Sequence, residues 1–246
     1  MIQLAMSISL AGLESRPSSS SPRAAIEWAA RLGYRAVQLD GAAAGVRARE
    51  LDRSARRDLA SLLRRSELGL SGIDVWIPPA HFADPARADR AISATSEALE
   101  LAADLGRILG SPGVVSIALS EKTPAAVVEA LAAAADRVGA RMADHQWPAR
   151  KGDGDRGPLG VGIDPAALLA AGADPAAEVS RLGASPVSAR LSDFAPGGRV
   201  AVGEGRLDVL AYQVALATRG YGGPVVVDLR GVREQESAAK KAAELR

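Results

Sequence analysis

The chain has 246 residues, with 30 basic and 29 acidic side chains, no cysteine, two histidines and only 3% aromatic residues. The lack of cysteine excludes disulfides, thiolate zinc sites, iron–sulfur clusters and a cysteine nucleophile, and two histidines cannot build a centre that needs three imidazoles. A net charge of +1 gives no basic surface for nucleic acid. The length fits one large domain or two small ones, and the 48% hydrophobic content is enough for a large aliphatic core.

The N-terminal segment MIQLAMSISLAG is apolar, but no Lys or Arg precedes Arg16. A secretory signal needs positive charge before its apolar stretch. No later run approaches the roughly 18 apolar residues of a membrane helix. We therefore expect a cytoplasmic protein with no membrane partner.

Eight short apolar runs predict strands, and longer helical patterns separate them. The predicted strands cover residues 2–8, 36–39, 70–77, 113–118, 140–144, 159–163, 187–191 and 224–229. Several are continuous apolar runs, which is typical of parallel strands covered by helices. Apolar residues recur at helical spacing in the segments 51–63, 91–109 and 207–217, the last with a stripe of Leu207, Leu210, Val214 and Ala217. A capping side chain before proline at 21–22, 123–124 and 164–165 predicts three helix starts.

Eight strands interleaved with helices over about 250 residues predict an α/β fold, a (β/α)8 TIM barrel formed by one domain over residues 1–246. An open doubly wound sheet is the alternative, but its glycine fingerprint is missing after the first strand. The polar, glycine- and proline-rich segment 145–158 leaves no room for a full helix after the fifth strand, so that helix is predicted to be short or missing. A second subunit in a homo-oligomer, or the C-terminal helix, would cover the thin wall there.

Polar side chains stand at the ends of most predicted strands. In a TIM barrel the active site is built at the carboxyl ends of the strands. Those ends carry Gln38 and Asp40, Asp74 and Trp76, Asp144 and His145, Asp164, Arg190 and Asp193, and Asp228 and Arg230. Aspartate is a poor strand former, so its repeated appearance favours a site role, although Asp164 equally fits a helix cap.

Three segments resemble the xylose isomerase-like TIM barrels of the sugar phosphate isomerase/epimerase superfamily. AIEWAARLGYRAVQLD (25–40) is similar to that family's opening helix and second strand. GVGIDPAALLAAGADP (160–175) looks like its strand-six signature, and residues 187–231, with GYGGPVVVDLRG at their end, look like its last two units. The resemblance covers nearly the whole chain.

The resemblance implies a sugar isomerase or epimerase with one divalent ion (Mn²⁺, Mg²⁺ or Zn²⁺) and two carboxylates that move a proton beside a carbonyl. Matched by position, this chain offers Asp144, Asp164 and Asp228 as metal ligands, with Asp144 and Asp228 as the proton-transfer pair. Arg190 stands where the family has its histidine ligand, and a guanidinium cannot coordinate a cation. We therefore hypothesise that Arg190 replaces the ion and balances the carboxylates.

The other polar residues near the strand ends are predicted to contact a sugar or sugar-phosphate-like ligand. They are Arg190, His145, Trp147, Asp193, Arg230, Asp74 and Gln38. Arginines pair with anionic groups and an indole can stack on a sugar ring, although His145 and Trp147 equally fit structural roles. Two functions stay open: an isomerase or epimerase that works with or without a metal, and a catalytically degenerate barrel that binds a small polar or anionic ligand. Neither requires an organic cofactor.

Overall fold

The structure is a computed structural model that describes residues 4–13, 21–149 and 157–245. Its elements, in chain order, are β1 (Met6–Ser9), α1 (Pro22–Arg31), β2 (Ala36–Asp40), a 3₁₀ turn (Ala48–Glu50), α2 (Arg53–Arg65), β3 (Gly69–Asp74), α3 (Pro79–Ala83), α4 (Ala88–Leu109), β4 (Val114–Ile117), α5 (Ala125–Val138), β5 (Arg141–Asp144), β6 (Leu159–Ile163), α6 (Pro165–Ala170), α7 (Pro175–Arg181), β7 (Ser188–Leu191), β8 (Asp193–Ala195), β9 (Gly198–Val200), α8 (Val209–Thr218), β10 (Val225–Val227) and α9 (Gln235–Ala243).

Eight parallel strands close into a barrel in the ring order β1, β2, β3, β4, β5, β6, β7, β10. Each predicted strand overlaps one barrel strand, so the predicted (β/α)8 TIM barrel is confirmed. Residues 2 and 3 of the first predicted strand lie outside the described residues. β8 and β9 form a separate antiparallel hairpin that was not predicted, closed by a two-residue turn of Pro196 and Gly197.

The outward positions of the barrel strands form an aliphatic layer beneath the helices. Ile8, Val37, Ile73, Val115 and Leu191 are all fully buried in one continuous core. Fully burying a side chain of this size stabilises a fold by about 1.5–3 kcal/mol. This layer therefore fixes the barrel, and with it the positions of the strand ends.

Most inward positions are different, because they are small or polar, although Val114 and Val226 also face inward. Ser7, Ser116, Gly162 and Ser188 face the barrel axis, where TIM barrels usually carry bulky branched side chains. Above them, at the carboxyl ends of the strands, the inward side chains are charged. The barrel thus has an apolar outside and a polar inside.

Two helical predictions have different outcomes. No helix is present in the described part of the connection after β5, residues 145–149 and 157–158, while residues 150–156 lie outside the described residues. The predicted inward stripe on α8 is wrong, because Leu210 and Val214 are 67% and 47% exposed and Tyr212 and Leu216 are buried instead. The α8 sequence is apolar on every side, so the spacing alone does not select a face, and the large Tyr212 takes the inner position.

The predicted helix start at Ser21 is confirmed, since its hydroxyl accepts a hydrogen bond of 3.2 Å from the Ala24 amide. α5 begins at Ala125, after Thr123 and Pro124, without a side-chain cap. None of the helices that the structure describes is long and apolar enough to cross a membrane.

Candidate functional site

Arg190 lies at the centre of the barrel mouth, with its side chain only 7% exposed. Its Nη2 donates to Asp74 Oδ2 at 2.8 Å and its Nη1 to Asp164 Oδ2 at 3.3 Å, while its Nε lies 3.5 Å from Asp228 Oδ2. β3, which carries Asp74, is directly opposite β7 in the ring of eight strands. The Arg190 side chain therefore spans the mouth from one wall to the other.

Two further arginines cover this centre. Arg230, just after β10, holds Asp228 with two N–H groups at 2.9 and 2.5 Å, and its Nη1 lies 3.5 Å from Asp74 Oδ2. Arg199, on β9, donates to Asp164 and, at 3.2 Å, to Asp228. We call Asp74, Asp164, Asp228, Arg190, Arg199 and Arg230 the mouth cluster; its three positive and three negative charges balance.

The pairing fixes the charged state of the carboxylates. Burial opposes ionisation of Asp228, but Arg190 and Arg230 outweigh it and hold its pKa well below the usual range. Arg199 and Arg190 likewise outweigh burial at Asp164 and lower its pKa. Both side chains are therefore permanently ionised near neutral pH. A carboxylate held in this way is a weak proton acceptor, because the arginines stabilise its charged form.

Asp164 precedes α6 but its side chain does not cap that helix. Its Oδ1 accepts from the Ser192 hydroxyl at 2.6 Å, and the Ser192 oxygen in turn accepts from the Ala166 amide at 3.0 Å. Ser192 thus accepts the hydrogen bond from the first turn of α6, and the Asp164 carboxylate pairs with the arginines of the mouth cluster. The alternative role of Asp164 as a helix cap is wrong.

Asp144 is in a different environment from the cluster. The register of the sheet pairs it with Ile117 and Val161, which belong to the aliphatic layer. Its Oδ1 accepts hydrogen bonds from the amides of Leu119 at 2.9 Å and Gln146 at 3.0 Å. These two hydrogen bonds hold the backbone of the loops that follow β4 and β5.

His145, the next residue, contacts the barrel interior. Its Nε2 lies 3.1 Å from the Ser116 hydroxyl, which also accepts from Gln38 Nε2 at 3.0 Å. Burial and the nearby Arg190 guanidinium hold the pKa of His145 well below its usual range. The imidazole is consequently neutral.

Asp193 and Trp147 lie in structural positions. The Asp193 carboxylate accepts from the backbone amides of Gly203, Gly205 and Leu207 at 2.9–3.0 Å, so it closes the segment that follows the β8–β9 hairpin. Trp147 is half-buried and packs against the main core.

The mouth cluster does not fit a divalent cation. Such an ion needs oxygen or nitrogen ligands at roughly 2.0–2.6 Å. The Arg190 nitrogens lie 2.8–3.5 Å from the same carboxylate oxygens that would have to bind it. Across the described ranges, no group of three or more His, Asp or Glu side chains is arranged to hold a metal ion.

The overall architecture matches several solved structures. A xylose isomerase domain protein from Planctomyces limnophilus has a TM-score of 0.74 and 17% identity, over 98% of this chain and 94% of that one. A D-allulose 3-epimerase from Methylomonas sp. has a TM-score of 0.70 and 16% identity, over 98% and 96%. The fold is that of a xylose isomerase-like TIM barrel. No family sequence model and no curated protein sequence matches the chain.

Structural matches at sequence identities this low establish only the fold, that of xylose isomerase-like barrels. The chemistry has to be inferred from the residues of the site. A probable 3-DHS dehydratase from Bacillus anthracis is equally similar, with a TM-score of 0.70 and 14% identity over 98% of both chains. One fold thus supports different reactions, because function depends on the residues at the mouth. In this xylose isomerase-like barrel those residues are the arginines and aspartates of the cluster.

Sequence reasoning missed Arg199. It lies on the β8–β9 hairpin, and the barrel pattern has no place for such an insertion after the seventh strand. A turn signal was present, since Pro196 and Gly197 separate two short runs and a Pro-Gly pair marks a turn.

Proposed function

We propose that this protein binds a small sugar-like ligand at the carboxyl end of the barrel without a divalent cation and without moving a proton through Asp144 or Asp228. The observation that carries this proposal is the position of Arg190 between three buried aspartates. The positive charge of Arg190 offsets the negative charge of those carboxylates, as a bound cation would.

The two predicted proton-transfer carboxylates support a binding role over the predicted isomerase chemistry. Asp228 is held by three guanidinium groups, and the hydrogen bonds described for Asp144 go to backbone amides. General acid–base catalysis works best with a group whose pKa is near the operating pH. The lowered pKa of Asp228 is far from that condition.

The exposed parts of the mouth cluster suit a hydroxylated ligand. The side chains of Arg199 and Arg230 are 23% and 17% exposed. Each guanidinium has five N–H donors, more than the hydrogen bonds described for either residue use. A similar solved structure, at TM-score 0.67, is a D-allulose 3-epimerase in complex with D-allulose, which supports a sugar as the first ligand class to test.

Isothermal titration with a panel of aldoses, ketoses and their phosphates tests the proposal. We expect one ligand site per chain, with the same affinity in EDTA and in Mn²⁺, and no exchange of the ligand's carbon-bound protons with D₂O. Arg230→Gln should weaken binding, whereas Arg107→Gln on the exposed end of α4 should not. Binding that requires a divalent cation, or turnover that Asp144→Asn abolishes, would contradict the proposal.

Metal-independent isomerisation is a second candidate, because Arg190 could stabilise negative charge on a substrate oxygen. The imidazole of His145 next to it is neutral, but its lowered pKa makes it a weak base, so its role as proton acceptor has to be tested directly. Proton exchange with D₂O in the presence of EDTA, lost in His145→Gln and kept in Asp144→Asn, would favour this activity over binding alone.

A further inference from the structure

Four polar atoms lie buried beneath and beside Arg190 without a hydrogen-bond partner in the part of the chain that the structure describes. They are Gln38 Oε1, His145 Nδ1, Ser188 Oγ and Arg190 Nε, of which the last also lies 3.5 Å from Asp228 Oδ2 in an ion pair without a hydrogen bond. All four residues are at most 6% exposed. Buried polar groups in folded proteins are nearly always paired with protein or with bound solvent, so four such atoms together need an explanation.

These atoms belong to side chains that are linked through shared neighbours, Ser116 and Gly162. Gln38 and His145 both contact the Ser116 hydroxyl, and the His145 ring packs so closely on Gly162 that a Cβ there would lie 2.7 Å from it. Gly162 pairs with Ser188 in the sheet. Ser188 lies two residues before Arg190 on the same face of β7, roughly 6–7 Å deeper in the barrel.

Most inward side chains at this depth are small. The inward positions below the Arg190 level include Ser7, Gly72, Ala143 and Ser188, with Val226 as a larger neighbour. TIM barrels usually fill these layers with bulky branched residues. The small side chains here therefore favour room for a bound O–H group.

The side chains around these four atoms favour an uncharged ligand group that can both donate and accept hydrogen bonds. Arg190 Nε can only donate, whereas a serine hydroxyl does both. One end of the Gln38 amide is bonded to Ser116 and the other has no partner, whichever way the amide is turned. The mouth cluster above is already neutral, so an added ion would bring an unbalanced charge into a buried site.

We propose that the barrel interior beneath Arg190 is a binding site for O–H groups, lined by Gln38, His145, Ser188 and Arg190. Ordered water supplies them in the free protein, and a hydroxyl of the bound sugar takes their place if the ligand reaches this depth. Binding of a sugar hydroxyl rests on the proposed function, whereas the presence of ordered water does not depend on it.

A crystal structure of the free protein at 1.5 Å resolution or better, on the order needed to place internal water, tests the site directly. We expect density for at least one oxygen within hydrogen-bond reach of two or more of the four atoms. A second crystal soaked with a sugar that titration has shown to bind distinguishes the sources: retained water identifies solvent, and replacement by a ligand hydroxyl identifies the sugar. If the four atoms pair with one another and no density lies between them, the proposal is wrong.

Two inward serines provide a matched stability test. Ser188→Ala removes a hydroxyl whose partner would be water, so Tm should stay unchanged or fall by about 2 °C. Ser7→Ala removes a hydroxyl that is 2.6 Å from Ser71 Oγ and should lower Tm further. A rise in Tm for Ser188→Ala would show that the hydroxyl was buried dry and would overturn the proposal. Failure of every sugar to bind, with internal water present, would overturn the proposed function alone.

Discussion

At the scale of single residues, charge decides what the barrel mouth can do. The sequence predicted that Asp164, Asp228 and Arg190 meet there, because each stands at a strand end and the strand ends of a TIM barrel converge. The position of Asp144 could not be predicted in the same way. Successive side chains of a strand point to opposite faces. Asp144 therefore lies beside Ile117 in the aliphatic layer, and His145, the next residue, points inward.

Replacing Arg190 with methionine should strongly destabilise the protein. The change keeps much of the side-chain volume but leaves Asp74, Asp164 and Asp228 with one positive partner fewer in a buried site. Removing one partner of a buried ion pair typically costs about 3–5 kcal/mol. Urea denaturation monitored by circular dichroism measures the loss, with Arg107→Gln on the surface as the control. A loss below about 1 kcal/mol would show that Arg199 and Arg230 suffice without Arg190.

The buried His145 should make stability depend on pH below about 6.5, its ordinary pKa. Its pKa is lowered in the folded protein, so the unfolded chain binds more protons as pH falls, and the stabilisation present above pH 6.5 is lost on the way down. The expected slope is at most about 1.4 kcal/mol per pH unit for one proton. Urea midpoints at pH 7.5 and 5.5 measure it. His145→Gln should flatten the dependence, and the surface variant Arg107→Gln should keep it.

At the scale of elements, the β8–β9 hairpin is the insertion that completes the site. It brings Arg199 over the strand ends, and Asp193 fastens the segment that follows by accepting from the amides of Gly203, Gly205 and Leu207. Short apolar runs separated by helical patterns revealed the eight barrel strands, even though inward positions of several strands are serine or glycine. The hairpin and the inner face of α8 were missed because short or uniformly apolar segments carry little periodicity.

Asp193→Asn should loosen the hairpin without unfolding the barrel. The amide nitrogen of asparagine cannot accept a hydrogen bond, so some of the backbone amides that the carboxylate now holds lose their acceptor. Hydrogen exchange followed by mass spectrometry should show at least about tenfold faster exchange in peptides covering residues 194–207, the equivalent of about 1.4 kcal/mol. Exchange in peptides from β2 and β4 should be unchanged. Equal protection of the hairpin in both proteins would assign its stability to other contacts.

At the scale of the whole molecule, we propose that the balance of charge at the mouth replaces the balance that a cation provides in a metal-dependent site. With three aspartates and three arginines the site is neutral, so a divalent ion would add two unbalanced charges to a buried region. Composition alone excluded only a centre that needs three imidazoles, since the chain has two histidines. The structure adds that arginines pair with the carboxylates that were predicted to bind an ion.

Metal binding should therefore appear only when arginines are removed. Wild-type protein should show no shift in Tm with 1 mM Mn²⁺, a concentration on the order of a thousand times a micromolar Kd. The double variant Arg190→Ala, Arg199→Gln leaves a charge of −2 in the mouth, which a divalent cation would neutralise, and Mn²⁺ should raise its Tm. Mg²⁺ and Ca²⁺ serve as comparisons of ion size. A stoichiometric metal in the purified wild-type protein would contradict this account.

The Arg190–Asp74 contact also has a consequence for folding kinetics. The two residues are 116 positions apart in sequence and on opposite walls of the barrel, so we expect their contact to form late in folding. Interactions that form late change the rate of unfolding more than the rate of folding. The side chain that balances the mouth is therefore also positioned to slow the opening of the closed ring of strands, and so to extend the lifetime of the native barrel.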